Sequence, residues 1–426
     1  MLPISPKLFV AAVFLIAYVL LILLYHRKIF VVWAAVAVLL ALRYLSPLEA
    51  WKSIEWNVIL LYFGMLFVSE SFLYSRMPDF LATLLAGRAG RVSLALLLLC
   101  LFAGLLSTAL ENVAVVLLVA PVGLAIARKC GIHPGPLLIG LAISSNLQGA
   151  ATLIGDPPSM LLASFAGLSF NDFFILRGRP YLFFATQVGA VAGLGVLYLF
   201  FARNNRRMPP LAREQFLSLG PTLLVVGLVA SLVASSSLRH GFEYDTGLLC
   251  VFFGLLSFLW YLSYNKGREV KEYLGRLDWQ TGLFLIGIFV LVESLAVVGL
   301  MEDLAGFVLA ASGERPFAVY ALVVGLSMVL SAFIDNVPFL LAMLPVCRLI
   351  TEAIPINPYL LYLGLLLGAS VGGNITPIGA SANIVAMGIL KKQGQEVRFG
   401  QFVRIGLPFT LAAVAASTLF GWLVWG

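Results

Sequence analysis

Apolar runs long enough to cross a bilayer recur near 8–25, 29–46, 56–75, 136–168, 180–202, 216–236, 244–264, 279–299, 358–390 and 405–425, which predicts ten crossings. Two further apolar stretches, 92–127 and 316–350, carry polar residues at their middles. Each is too long for one span and too short for two spans with a loop. Each is therefore expected to be a re-entrant helical hairpin whose tip is buried in protein, where irregular backbone is tolerated. The expected fold class is an all-α polytopic membrane protein with about ten transmembrane helices plus two re-entrant hairpins.

Composition agrees with that reading. Of 426 residues, 61% are apolar and 11% charged, against roughly 25% charged in soluble proteins. The net charge of +7 is spread over short loops with no basic arm interleaved with aromatics, so nucleic acid is not an expected partner. Cys100, Cys130, Cys250 and Cys347 lie far apart without a CxxC pair, and His26, His133 and His240 fall in predicted loops. Neither a disulfide framework nor a zinc site is indicated. No HExxH motif and no histidine inside a predicted span is present, so no enzyme and no cofactor is expected. The segment after Lys7 reads as a retained span rather than a cleaved leader.

With ten crossings, most of the 27 basic residues fall on one face, in the loops near 27–28, 76–91, 128–129, 203–213, 266–276 and 391–404. The opposite face holds Lys7, Lys52, Arg177, Arg179, Arg239, Arg315 and Arg348, and Arg43 is expected inside a span. The basic excess predicts that the first face is cytoplasmic and both termini are outside, in a multi-pass protein of the cell (inner) membrane. The first hairpin would then enter from the cytoplasm and the second from outside.

The chain also matches itself. Ser107, Asn112, Val113, Leu117, Pro121 and Val122 recur 224 positions later as Ser331, Asn336, Val337, Leu341, Pro345 and Val346, with Glu111 becoming Asp335. At the same offset Pro134, Gly140, Gly149, Thr152, Ile154 and Gly155 recur as Pro358, Gly364, Gly373, Thr376, Ile378 and Gly379. With one residue of slip, Trp56, Gly64, Glu70 and Ser71 recur as Trp279, Gly287, Glu293 and Ser294. Two repeats follow: 1–208, with hairpin 92–127 and broken helix 136–168, and 209–426, with hairpin 316–350 and broken helix 358–390. Five crossings per half is an odd number, so the second repeat enters the membrane inverted, as in secondary transporters whose sites lie at the midplane.

The interruptions nominate the site. Between Asn146 and Pro158 the fifth crossing contains Gly149, Thr152, Gly155 and Asp156 before two prolines, a poor lipid-facing helix. Its counterpart contains Gly373, Asn374, Thr376, Gly379, Ser381 and Asn383. Unwound carbonyls there can coordinate a cation, while the half-helix that follows offers amides and a positive dipole end. The alternative for Asp156 is a plain N-cap of the helix starting at Pro157. The hairpin tips, Glu111-Asn112-Val113 and Asp335-Asn336-Val337, admit the same two readings, ion binding at membrane depth or helix capping. Glu70 and Glu293 are expected to serve structure near span ends.

These tip and break segments resemble the ion transporter superfamily, in the branch of arsenite permeases, sodium–proton antiporters and the pink-eyed-dilution protein, over nearly the whole chain. The resemblance implies an elevator transporter, usually a homodimer, with a scaffold and a mobile domain of hairpins and broken helices. In the related sodium-coupled dicarboxylate branch, Ser-Asn-Thr tips bind sodium and substrate carboxylates. Here Asn112 and Asn336 are retained, but Glu111 and Asp335 occupy the Ser places and Val113 and Val337 the Thr places. Three carboxylates, Glu111, Asp156 and Asp335, with no Lys or Arg near the hairpin tips or in the breaks, would repel a multiply charged anion. The expected function is proton- or sodium-coupled transport of a small ion, as an arsenite-type efflux permease or a cation–proton antiporter, with any sodium held at these same positions. Sodium-coupled transport of a dicarboxylate or citrate is the alternative, and an ion channel the alternative from another class.

Overall fold

A computed structural model describes residues 5–24, 27–210, 214–238 and 245–426. The expectations for His26, Arg213, Arg239 and His240 lie outside the described residues.

The chain is almost wholly helical. The first part runs α1 (Pro6–Leu23), α2 (Lys28–Ala41), α3 (Pro47–Lys52), α4 (Trp56–Tyr74), α5 (Met77–Arg88), α6 (Val92–Ser107), α7 (Asn112–Cys130), α8 (Gly135–Gly149) and α9 (Pro157–Ala166). A two-stranded ribbon of β1 (Ile175–Leu176) and β2 (Arg179–Pro180) then leads to α10 (Leu182–Phe201). The order recurs as α11 (Gly220–Leu238), α12 (Asp245–Tyr264), α13 (Val270–Arg276), α14 (Trp279–Val297), α15 (Leu300–Ser312), α16 (Pro316–Ser331), α17 (Asn336–Ala353), α18 (Pro358–Gly372), α19 (Ser381–Lys392) and α20 (Phe399–Trp425).

Local chemistry accounts for many of these boundaries. Ser5 caps α1 by accepting from Leu8 N–H at 3.2 Å, with Pro6 at the first helical position. Ser46 and Glu49 close a reciprocal capping box on α3. The α7 and α8 helices are separated by Gly131 in the left-handed conformation.

Ten helices among the described residues are long and apolar enough to cross a membrane, the expected number with a different membership. The second expected crossing, 29–46, shrinks to the 14 residues of α2. Arg43, expected inside that span, instead follows α2 in a left-handed turn. The 136–168 crossing divides into α8 and α9, each too short to span alone. The 358–390 crossing divides into α18, which together with a 3-10 turn at Gly373–Ile375 is long enough to span, and α19. The returning arms of the two hairpins, α7 and α17, are themselves long enough to span. Their length escapes hydropathy reading because each continues past an interior proline, Pro121 and Pro345, at which a breaker would be expected. The last crossing starts at Phe399 rather than near 405.

Two packed groups organise the molecule. One contains α1, α2, α4, α11, α12 and α14, with α4 laid along α12 and α2 along α14. The other contains α6, α8, α10, α16, α18 and α20, with α6 on α8, α16 on α18 and α10 on α20. The short half-helices cross over between repeats: α9 packs on α17 and α18, while α19 packs on α7 and α8. Glu70 of α4 pairs with Arg276 of α13 at 3.5 Å, tying the first group at one membrane face.

Candidate functional site

The hairpin tips and the broken helices are fastened to each other by side chains that satisfy exposed backbone. The last carbonyls of α6 and α16 have no partner within their helices, and at membrane depth they need one. The hydroxyl of Thr152 donates to the Thr108 carbonyl, and that of Thr376 donates to the Ala332 carbonyl. Ser145 donates to the Asn112 carbonyl at 3.2 Å and also meets Ser107, while Ser331 donates to the Ala369 carbonyl at 2.5 Å. The glycines permit this closeness. A Cβ on Gly155 would overlap the Gly149 carbonyl, one on Gly379 would overlap that of Gly373, and one on Gly149 would strike the Asn112 amide.

Three amides join the two breaks. Asn146 Nδ2 donates to Asn374 Oδ1 at 2.8 Å and to Asn383 Oδ1 at 3.1 Å. Asn374 Nδ2 donates to the Ile143 carbonyl at 3.0 Å, and Asn383 Nδ2 donates to the Gly373 and Thr376 carbonyls, each at 3.0 Å. All three side chains are buried.

In front of this network lies a cavity of about 240 Å³. Ten of the sequence-nominated residues line it: Glu111, Asn112, Val113, Asn146, Asp156, Asp335, Asn336, Val337, Gly379 and Ser381. Gly149, Thr152, Gly155, Gly373, Asn374, Thr376 and Asn383 do not line it. They sit behind it and hold the segments together as described above.

The carboxylates do cap helices. Glu111 accepts from Ala114 N–H at 3.0 Å, Asp335 from Val337 N–H at 3.1 Å, and Asp156 Oδ1 from Ser159 N–H at 3.1 Å. Capping leaves one oxygen of Asp156 over. Its Oδ2 and the Oδ1 of Asn112 are both buried without a hydrogen-bond partner. Two acceptor oxygens desolvated in one cavity are costly unless a cation or proton occupies them.

Sequence reasoning missed the wall contributed by the other helix group. Lys28 at the start of α2, and Asp278, Thr281 and Phe284 at the start of α14, line the same cavity. Lys28 Nζ donates to Thr281 Oγ1 at 3.5 Å and lies 4.7 Å from the Phe284 ring centroid. By sequence Lys28 is a loop residue on the basic face, and Asp278 carries no signal beyond preceding a span. Among the described residues the cavity therefore holds four carboxylates and one lysine.

Residues 17–363 match the profile of the CitMHS family, described as citrate transporters. The chain belongs to that family. An uncharacterized transporter of Mycobacterium tuberculosis is 33% identical over 383 residues, covering 87% of this chain and 86% of its own length. The P protein of Sus scrofa, of the pink-eyed-dilution type named above, is 27% identical over 518 residues, covering 98% of this chain and 60% of its own. Among solved structures, the Alcanivorax borkumensis YdaH transporter superposes with a TM-score of 0.60 at 14% identity, covering 99% and 98% of the two chains. Neisseria gonorrhoeae MtrF gives 0.55 at 18% identity over 86% and 80%. This member of the citrate transporter family is thus a multi-pass integral membrane transporter.

Proposed function

We propose that this protein is an ion-coupled secondary transporter in which Asn112 and Asp156 hold the coupling cation or proton and the two hairpin tips face the transported species. The observation that carries this reading is the pair of buried, unpartnered oxygens, Asn112 Oδ1 and Asp156 Oδ2, in one cavity with Glu111 and Asp335. Proton and sodium compete for such oxygens. If the loaded site is carried across the membrane, that competition suffices to couple one flux to another.

The packing of α6, α8, α10, α16, α18 and α20 as one set and of α1, α2, α4, α11, α12 and α14 as another supports an elevator motion of the former against the latter, with the two repeats inverted. The latter would then hold a homodimer, and the basic-rich loops would face the cytoplasm.

With four carboxylates against one lysine, the cavity favours a cation, a proton or a neutral hydroxide of the arsenous-acid kind over a multiply charged anion. The family's description as citrate transporters and the presence of Lys28 favour the second reading, sodium-coupled uptake of a carboxylate. Flux into proteoliposomes with arsenite, sodium, citrate and phosphate, under imposed pH or sodium gradients, separates them. Gradient-driven arsenite or sodium movement supports the first. Sodium-dependent citrate uptake with no response to pH replaces it with the second, and unitary currents would replace both with a channel.

A further inference from the structure

A second cavity, of about 760 Å³, opens between the starts of α8 and α20 and the end of α10, away from the transport site. Its walls are apolar, with Ile139, Val196, Leu199 and Ile405 among them. The polar residues lining it are His133, Arg203, Asn204, Gln401 and Arg404, and no Asp or Glu is among them. Neither arginine forms an ion pair among the described residues. His133 Nδ1 accepts from Gly135 N–H at 3.0 Å, which leaves Nε2 as the donor. The same end of the bundle holds Lys129, donating to the Pro210 carbonyl at 3.2 Å, and Arg206, donating to the Cys130 carbonyl at 3.5 Å.

We infer that this cavity is a binding site for an anionic phospholipid of the surrounding bilayer. The headgroup phosphate is held by Arg203 and Arg404, and an acyl chain lies against α8, α10 and α20. Charge complementarity selects the occupant. Two guanidiniums and amide donors at the ends of spanning helices suit a phosphodiester, and the apolar walls below them suit a chain that a soluble anion lacks. The site joins the starts of α8, which leads into the first break, and α20, which packs on the 3-10 turn of the second. Lipid bound there bears on the helices that carry the transport cavity.

The test uses the delipidated full chain in detergent, titrated with phosphatidylglycerol, phosphatidylcholine and inorganic phosphate, and read by native mass spectrometry and thermal shift. Wild type should bind phosphatidylglycerol about tenfold more tightly than phosphatidylcholine, with the preference falling in high salt. The double variant Arg203→Gln/Arg404→Gln should lose that preference while keeping its elution volume. Leu199→Trp should lower phosphatidylglycerol retention with both arginines intact. Equal binding of the two lipids by wild type, an undiminished preference in the double variant, or full displacement of phosphatidylglycerol by millimolar inorganic phosphate would overturn the assignment.

Discussion

Asn146 in α8 donates to Asn374, which follows α18, at 2.8 Å, so the broken segment of one half is bonded side chain to side chain with that of the other. The same Asn146 amide reaches Asn383 of α19 at 3.1 Å. Removing it orphans two buried acceptors at once. Asn146→Ala should destabilise the purified protein by about 1 to 3 kcal/mol, read as a lower melting temperature in detergent, with transport lost. An unshifted melting temperature would mean that the network adds nothing to stability.

Asn112 lines the cavity, and its Oδ1, buried without a partner, packs on Gly149. Asn112→Ala should weaken the coupling cation roughly tenfold to hundredfold, the range for a hydrogen-bonding group facing a charge, with expression intact. Asn336→Ala should abolish flux as well. Wild-type rates in both variants would reduce the tips to helix caps.

Asp156, which lines the cavity, separates two roles by atom, since Oδ1 caps α9 and Oδ2 is buried without a partner. Its repeat partner is Ala380, an asymmetry from which sequence alone suggests a modest role. The unpartnered oxygen argues otherwise. Asp156→Asn keeps the cap acceptor and the shape, so the fold should persist while cation-driven transport is lost. Asp156→Ala should in addition lower helix stability by about 1 kcal/mol. Identical flux in wild type and Asp156→Asn would place the coupling ion elsewhere.

Glu111→Gln and Asp335→Asn also retain a capping oxygen but lose a titratable group. Flux in vesicles at clamped membrane potential should lose its dependence on an imposed pH gradient in each variant. Unchanged gradient dependence in both would remove the tips from coupling.

Among the described residues, Lys28 is the single cation lining this cavity. Lys28→Met should strengthen competition by cations, and weaken it by anions, on the order of tenfold at an intermediate effective dielectric. Lys28→Arg should behave as wild type in the same competition assay. Equal changes in both variants would point to packing rather than charge.

The sequence by itself determined most of the spans, the polar tips, the breaks and their matching positions at an offset of 224, because each is a local property. Hydropathy marks a span within about 20 residues, and glycine, proline and an intramembrane carboxylate mark a break wherever they stand. Asn112, Asp156, Asp335 and Asn336 were legible for that reason. Whether Asp156 is only a cap was not, since that depends on which of its oxygens finds a partner. Lys28 and Asp278 were read no better, because the depth of a helix end is not written in its own residues. The 14 residues of α2 extend only about 21 Å, short of a hydrocarbon core of about 30 Å. Lys28 reaches Thr281 at the start of α14 because α2 packs along α14. Only the tertiary packing decided that a lysine apparently belonging to a surface loop, and an aspartate before a span, would close the cavity the hairpin tips had opened.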